Sequence, residues 1–146
     1  MTRADHARAV LGLAVTSVWL ALALSSGSVR AQAPEGSDSW QIPESAATES
    51  NPTPINAAVL AKGQSLYKTK CQRCHAADGS GRGPEADPRH PAGDLTDRRV
   101  AARNPDGVMF YRIWHGRAKP KMPAMKADLT RTDVWTIVQY VKTLRK

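Results

Sequence analysis

Cys71-Gln72-Arg73-Cys74-His75 is the stretch on which the fold of this 146-residue chain turns. The Cys-x-x-Cys spacing sets two thiols about one helical turn apart, and a histidine follows at once. Zinc would ask for four ligands, and Cys71 and Cys74 are the only two cysteines. A redox dithiol normally sits in a thioredoxin-like βαβ frame, and no strand pattern flanks this motif.

What the rest of the chain lacks narrows the reading. Aromatic residues make up 5% of the sequence, with a single Phe, and two cysteines cannot staple a small domain. A domain with so thin a core takes its missing apolar mass from a metal, a cofactor or a partner. Cys-x-x-Cys-His is the attachment signature of c-type haem: two thiols bond the vinyl groups of one porphyrin, and the histidine behind them serves the iron. One covalent haem c, held by Cys71 and Cys74 with His75 as an axial ligand, would supply that apolar slab.

Helical patterns lie on both sides of the motif. Upstream, Thr53 and Pro54 read as N-cap and first helical position. Val59, Gly63, Leu66 and Tyr67 then share one face of a helix running to about Lys70. Downstream, Asn104 reads as cap and Gly116 as stop of a second helix, Pro105 to His115, which supplies Val108, Met109, Tyr111 and Trp114. Thr130-Arg131-Thr132-Asp133 is a capping-box pattern opening a third helix. Val134, Ile137, Val138, Val141 and Leu144 form its apolar stripe. Residues 76–103 show no strand pattern, and so long a loop in a small domain is usually functional.

Taken in order, these pieces resemble a class I c-type cytochrome of the small monohaem bacterial kind, over residues 55–146. Gly63 and Tyr67 are similar to the family's glycine–aromatic pair, which packs against an aromatic of the last helix, here Tyr140. The run Asp78 to Pro84, DGSGRGP, resembles the glycine-rich turn after the haem motif, and Pro91 to Leu95, PAGDL, the Pro…Asp-Leu element. Lys121-Met122-Pro123-Ala124-Met125 resembles the Met-Pro segment that carries the sixth iron ligand. The resemblance implies an all-α cytochrome c fold, with three main helices and long loops wrapped around one covalently bound haem. It also implies a proline carbonyl that accepts a hydrogen bond from the axial histidine, for which Pro84 is the candidate.

For the sixth ligand, Met109 falls inside a helix, where core packing is the default. Met122 stands between Pro120 and Pro123, which stiffen an irregular segment. A thioether there favours ferrous iron and raises the reduction potential. Met122 is the expected partner of His75 across the iron, with Met125 as its rival. His90 and His115 read as surface histidines. Asp78 to Arg89 makes a poor calcium loop, because Arg82 and Arg89 fall at ligand positions. Its glycines lack the Gly-Lys-Ser/Thr of a phosphate loop.

The N-terminus reads as an export signal over residues 1–31. Arg3 and Arg8 precede a 16-residue apolar run, Ala9 to Leu24, too short to span a bilayer and suited to a signal core. Cleavage is expected after Ala31, with Ala33 as the second site, which places the domain in the periplasm with no stable membrane insertion. Residues 32–53 read as an acidic disordered linker in which Trp40 and Ile42 are stray exposed residues. The cytochrome domain is expected over 54–146.

The formal net charge is +8, unevenly spread: residues 32–58 carry four acidic residues and no Lys or Arg, so residues 59–146 carry +10. A basic domain suits redox partners with acidic docking surfaces. Nucleic acid is not expected as a partner. The expected function is that of a periplasmic electron carrier, without catalytic residues of its own. The alternatives are a dedicated subunit of a larger redox enzyme, and a haem peroxidase or ligand sensor with an open sixth position.

Overall fold

Three helices carry the frame, α2 (Ala57–Lys70), α5 (Asp106–His115) and α6 (Arg131–Thr143), with three short ones between and before them, α1 (Glu44–Thr48), α3 (Gln72–His75) and α4 (Arg98–Ala102). The computed structural model describes residues 40–119 and 121–146. The expected export signal, Pro120 and the first part of the expected linker lie outside the described residues. Among these residues two isolated bridges, Asp87 with His90 and Arg117 with Met122, are the only β pairing. The all-α expectation holds.

Local caps decide where the helices begin. Helix α6 opens on the expected capping box: Thr130 Oγ1 accepts from the Asp133 amide at 3.2 Å, and Asp133 Oδ2 accepts from the Thr130 amide at 3.1 Å. Helix α2 starts later than Pro54. Asn56 caps it by accepting from the Val59 amide at 2.9 Å. The Thr53 carbonyl is instead drawn to α6, where Gln139 Nε2 donates to it at 2.5 Å. Helix α5 starts after Pro105, and Asn104 does not cap it. The Asn104 side chain is buried, accepting from Arg112 Nη1 and donating to the Val100 carbonyl at 2.5 Å.

Helices α2 and α6 cross at Gly63. A Cβ there would lie 2.6 Å from the Thr136 carbonyl oxygen and 2.8 Å from Tyr140 Cβ, so only glycine lets the two backbones approach this closely. One helical turn on, the Tyr67 and Tyr140 rings meet with centroids 5.3 Å apart. The expected stripe of α6 is the centre of the core: Val134, Ile137 and Val138 are fully buried. On its other side Phe110 stacks between Trp114 and Trp135, at 5.7 and 4.2 Å. The buried face of α5 is Val108, Met109, Phe110 and Ile113, whereas Tyr111 and Trp114 stay half-exposed.

Residues 40–53 correct the linker expectation. They form a strap along α5 and α6 that contains α1. Ala46 is buried against the first turn of α5, where a Cβ on Gly107 would overlap the Ala46 carbonyl and lie 2.7 Å from the Glu49 carbonyl. Asn51 Nδ2 donates to the Trp135 carbonyl at 2.9 Å, and Glu49 pairs with Arg131 at 2.9 Å. Trp40 lies under the Arg112 and Arg117 guanidinium groups. The strap is held by polar contacts to groups far away in sequence and by one small buried residue, so it shows no apolar periodicity of its own.

Candidate functional site

The cysteine motif is one more turn of helix added to the end of α2. Cys71 is at once the C-cap of α2 and the N-cap of α3. Its amide donates to the Tyr67 carbonyl at 2.8 Å, and its own carbonyl accepts from the Cys74 and His75 amides at 3.2 and 2.9 Å. The expected one-turn separation of the two thiols is therefore built into backbone hydrogen bonds. Ala76 ends the turn at φ 63°, and the Tyr67 hydroxyl fixes that end by donating to the Ala76 carbonyl at 2.8 Å.

The glycine-rich run folds back onto this turn. The amides of Gly81, Gly83 and Glu85 donate to the carbonyls of His75, Cys74 and Arg73 at 3.0, 3.0 and 2.8 Å, satisfying the orphan acceptors of a helix C-terminus. Gly81 adopts φ 78°, and a Cβ there would overlap the Ala92 carbonyl, so the site tolerates only glycine.

His75 turns its Nδ1 to the Gly93 carbonyl at 3.1 Å. A carbonyl only accepts, so Nδ1 carries the proton and Nε2 keeps its lone pair. Burial holds the imidazole below its ordinary pKa and so favours the neutral form a metal ligand needs, opposed in part by the Gly93 hydrogen bond. Gly93, not Pro84, is thus the acceptor. The amides on either side of Pro84 are spent on the Cys74 and Arg73 carbonyls, while the Pro91–Leu95 element is pinned by the Leu95 amide donating to the Gly79 carbonyl at 2.8 Å. Nothing in a side-chain pattern marks which backbone carbonyl will reach a ring nitrogen, so the sequence pointed to the element but not to this role.

The two cysteines are free and half-buried. Burial, with the neighbouring Cys74 second, pushes the Cys71 thiol up to about 12. No cluster of three His, Cys, Asp or Glu side chains that could hold a metal ion occurs among the described residues. Half-buried apolar side chains, including Leu66, Leu95, Trp114 and Met122, lie against the buried core. Two thiols one turn apart, followed by a histidine whose Nδ1 is engaged by a backbone carbonyl and whose Nε2 is left for a metal, fit a haem c.

The methionines separate by burial. Met109 lies in the core, with its sulfur accepting from Arg145 Nη2 at 3.5 Å. Met125 is also buried in the core, its amide donating to the Ile113 carbonyl at 3.0 Å. Met122 is half-buried and lines an open depression with His115, Arg117 and Lys121. Its backbone forms a two-way pair with Arg117, at 2.8 and 2.9 Å, which closes the loop after α5. Gly116, at φ 60°, packs against this segment: a Cβ there would overlap the Met122 carbonyl and lie 2.5 Å from the Ala124 amide. His90 is exposed beside Asp87, 3.4 Å away, and His115 is exposed against the Tyr111 ring, at 4.3 Å between centroids. Lys119, Lys121 and Lys126 around the Met122 segment are exposed.

A chain of the Kuenenia stuttgartiensis reducing HAO-like protein complex shares this fold, with a TM-score of 0.50 and 19% sequence identity, over 67% of the present chain. The present chain spans about half (50%) of that chain's length. Residues 60–145 match the profile of the family described as Cytochrome c. That range takes in the whole haem motif with the elements that position it, and the chain belongs to the cytochrome c family.

Proposed function

We propose that this protein is a periplasmic carrier of single electrons, holding one haem c through Cys71 and Cys74 with His75 and Met122 as axial ligands. The observation that carries the reading is the His75 ring, its Nδ1 turned to the Gly93 carbonyl at 3.1 Å, next to two cysteines that form no disulfide. When bound, the haem supplies a one-electron change of iron valence. The chain's own contribution is to hold and orient. The backbone bonds of α3 fix the spacing of the two thiols, and the Gly93 carbonyl fixes the imidazole plane. The Arg117 pair and Gly116 hold Met122 at the mouth of the depression, while Met125 is spent on the core. Met122 as second ligand would keep substrates off the iron, as a carrier requires and a peroxidase or sensor does not. The basic residues 59–146 steer the protein onto an acidic surface of its redox partner.

The test is made on protein exported from a host with haem-attachment machinery. The expected product begins at Gln32 and carries the mass of one haem that acidic acetone does not extract. Its ferric form shows the weak far-red sulfur-to-iron charge-transfer band. Met122→Ala abolishes that band and opens the iron to carbon monoxide and azide. Met125→Ala keeps the band and costs stability, about 2–5 kcal/mol for a fully buried side chain. Loss of the band in Met125→Ala alone would move the ligand, and ready binding of carbon monoxide by the wild-type ferrous protein would put the sensor reading ahead.

A further inference from the structure

We propose that the strap over residues 40–53 positions Met122, with Trp40 acting as a positioning residue through Arg117. This rests on the axial role of Met122 proposed above.

Trp40 lies at the start of the strap, with two guanidinium groups on its indole, Arg112 at 5.3 Å and Arg117 at 4.9 Å from the ring centroid. Both groups are cations, and burial followed by the Arg117 charge holds Arg112 below its ordinary pKa. The Arg112 Nε is buried with no hydrogen-bond partner. The electron-rich face of Trp40 attracts both groups and holds them side by side.

Arg117 is the link to the iron ligand. Its amide donates to the Met122 carbonyl at 2.8 Å, and its carbonyl accepts from the Met122 amide at 2.9 Å. A shift of the Arg117 backbone therefore moves Met122 directly. The other end of the strap anchors the same frame. Glu49 holds Arg131 at 2.9 Å, over the Phe110 ring at 4.4 Å and the Trp114 ring at 5.8 Å. The strap thus grips α5 along its length, from Gly107 at the first turn to Arg117 just past its end. Met122 sits on a loop whose base is clamped from outside the haem site.

The experiment compares ferric, haem-loaded wild-type protein with Trp40→Ala, Trp40→Phe and Met122→Ala, using imidazole as the competing ligand. A loosened Met122 raises apparent imidazole affinity by the fraction of time it leaves the iron. Trp40→Ala should bind imidazole about 5-fold more tightly, the weight of one or two exposed cation–π contacts. Its Arg117 and Met122 amides should exchange with solvent about 5-fold faster, while the amides of α6 keep wild-type rates. Trp40→Phe, which retains an aromatic face, should return most of both effects. Imidazole affinity in Trp40→Ala within twofold of wild type, with the charge-transfer band intact, overturns the proposal and leaves Met122 as ligand. A Met122→Ala protein that keeps its band overturns the axial reading and this proposal with it. If Trp40→Ala yields no holoprotein, Arg117→Gln removes the same contact from the other side and should show the same 5-fold change, and unchanged affinity there overturns the proposal.

Discussion

Replacing Gly63 by Ala sets two opposing effects against each other at the main helix crossing. Gly63 is in the middle of α2 without a positive φ, so alanine alone should stabilise the helix by about 1 kcal/mol. The new Cβ would stand 2.6 Å from the Thr136 carbonyl oxygen and 2.8 Å from Tyr140 Cβ, where ordinary contact begins near 3.4 Å. The oxygen and carbon it meets belong to the rigid part of α6, so rotamer change cannot relieve the overlap. The helices must separate by roughly 0.7 Å in an interior that packs like a crystal. That separation loosens the Tyr67–Tyr140 contact and the fully buried Val134, Ile137 and Val138. Overpacking of this kind costs about 1–3 kcal/mol, and a clash on both sides belongs at the upper end. The net loss is about 2 kcal/mol, or a fall in Tm of about 10 °C for a domain of this size. Thermal unfolding of wild-type and variant holoproteins at equal haem content, followed by far-UV circular dichroism, reads the difference. Gly93→Ala is the control, since a Cβ there meets nothing within 4 Å and the carbonyl that serves His75 is kept. A Gly63→Ala protein melting at or above wild type would refute the close crossing.

Two further outcomes follow from charge. Lys62 first, then Thr130, lower the Asp133 pKa from 3.8 to about 2, so the native state favours the carboxylate. That contribution is complete above about pH 4 and is lost as pH falls through about 2. With Lys62 half-exposed it amounts to about 1 kcal/mol. Asp133→Asn should therefore be less stable than wild type at pH 7, with the gap narrowing as pH falls towards 2 in denaturant titrations, and a constant gap across that range would count against the pairing. Partner reduction should slow as salt rises, because screening shortens the reach of surface charge to about 8 Å near physiological ionic strength. Reversing Lys119, Lys121 and Lys126 should slow it more than reversing Lys142 and Lys146, as read by stopped-flow kinetics.

The sequence by itself determined the parts whose signal is local. Cys71, Cys74 and His75 lie within five residues; their spacing specifies one turn of helix, and with no further cysteines in the chain it points to haem attachment. The capping box at Thr130 and the stripe from Val134 to Val141 are likewise local, and the structure repeats them. Gly63 and Tyr67 were legible because a helical period places them on one face. Tertiary structure decided whatever depends on groups that meet across the chain. Asn56 rather than Thr53 caps α2, and the Thr53 carbonyl accepts instead from Gln139, far away in sequence. The acceptor for His75 moved from Pro84 to Gly93 because backbone carbonyls carry no sequence signature and loop closure selects among them. Met122 and Met125 carry the same thioether three positions apart, and only the fold leaves the first half-buried while burying the second. Residues 40–53 read as a linker because polar contacts to distant partners leave no periodicity, yet those contacts, with Ala46 against Gly107, fold them onto α5 and α6.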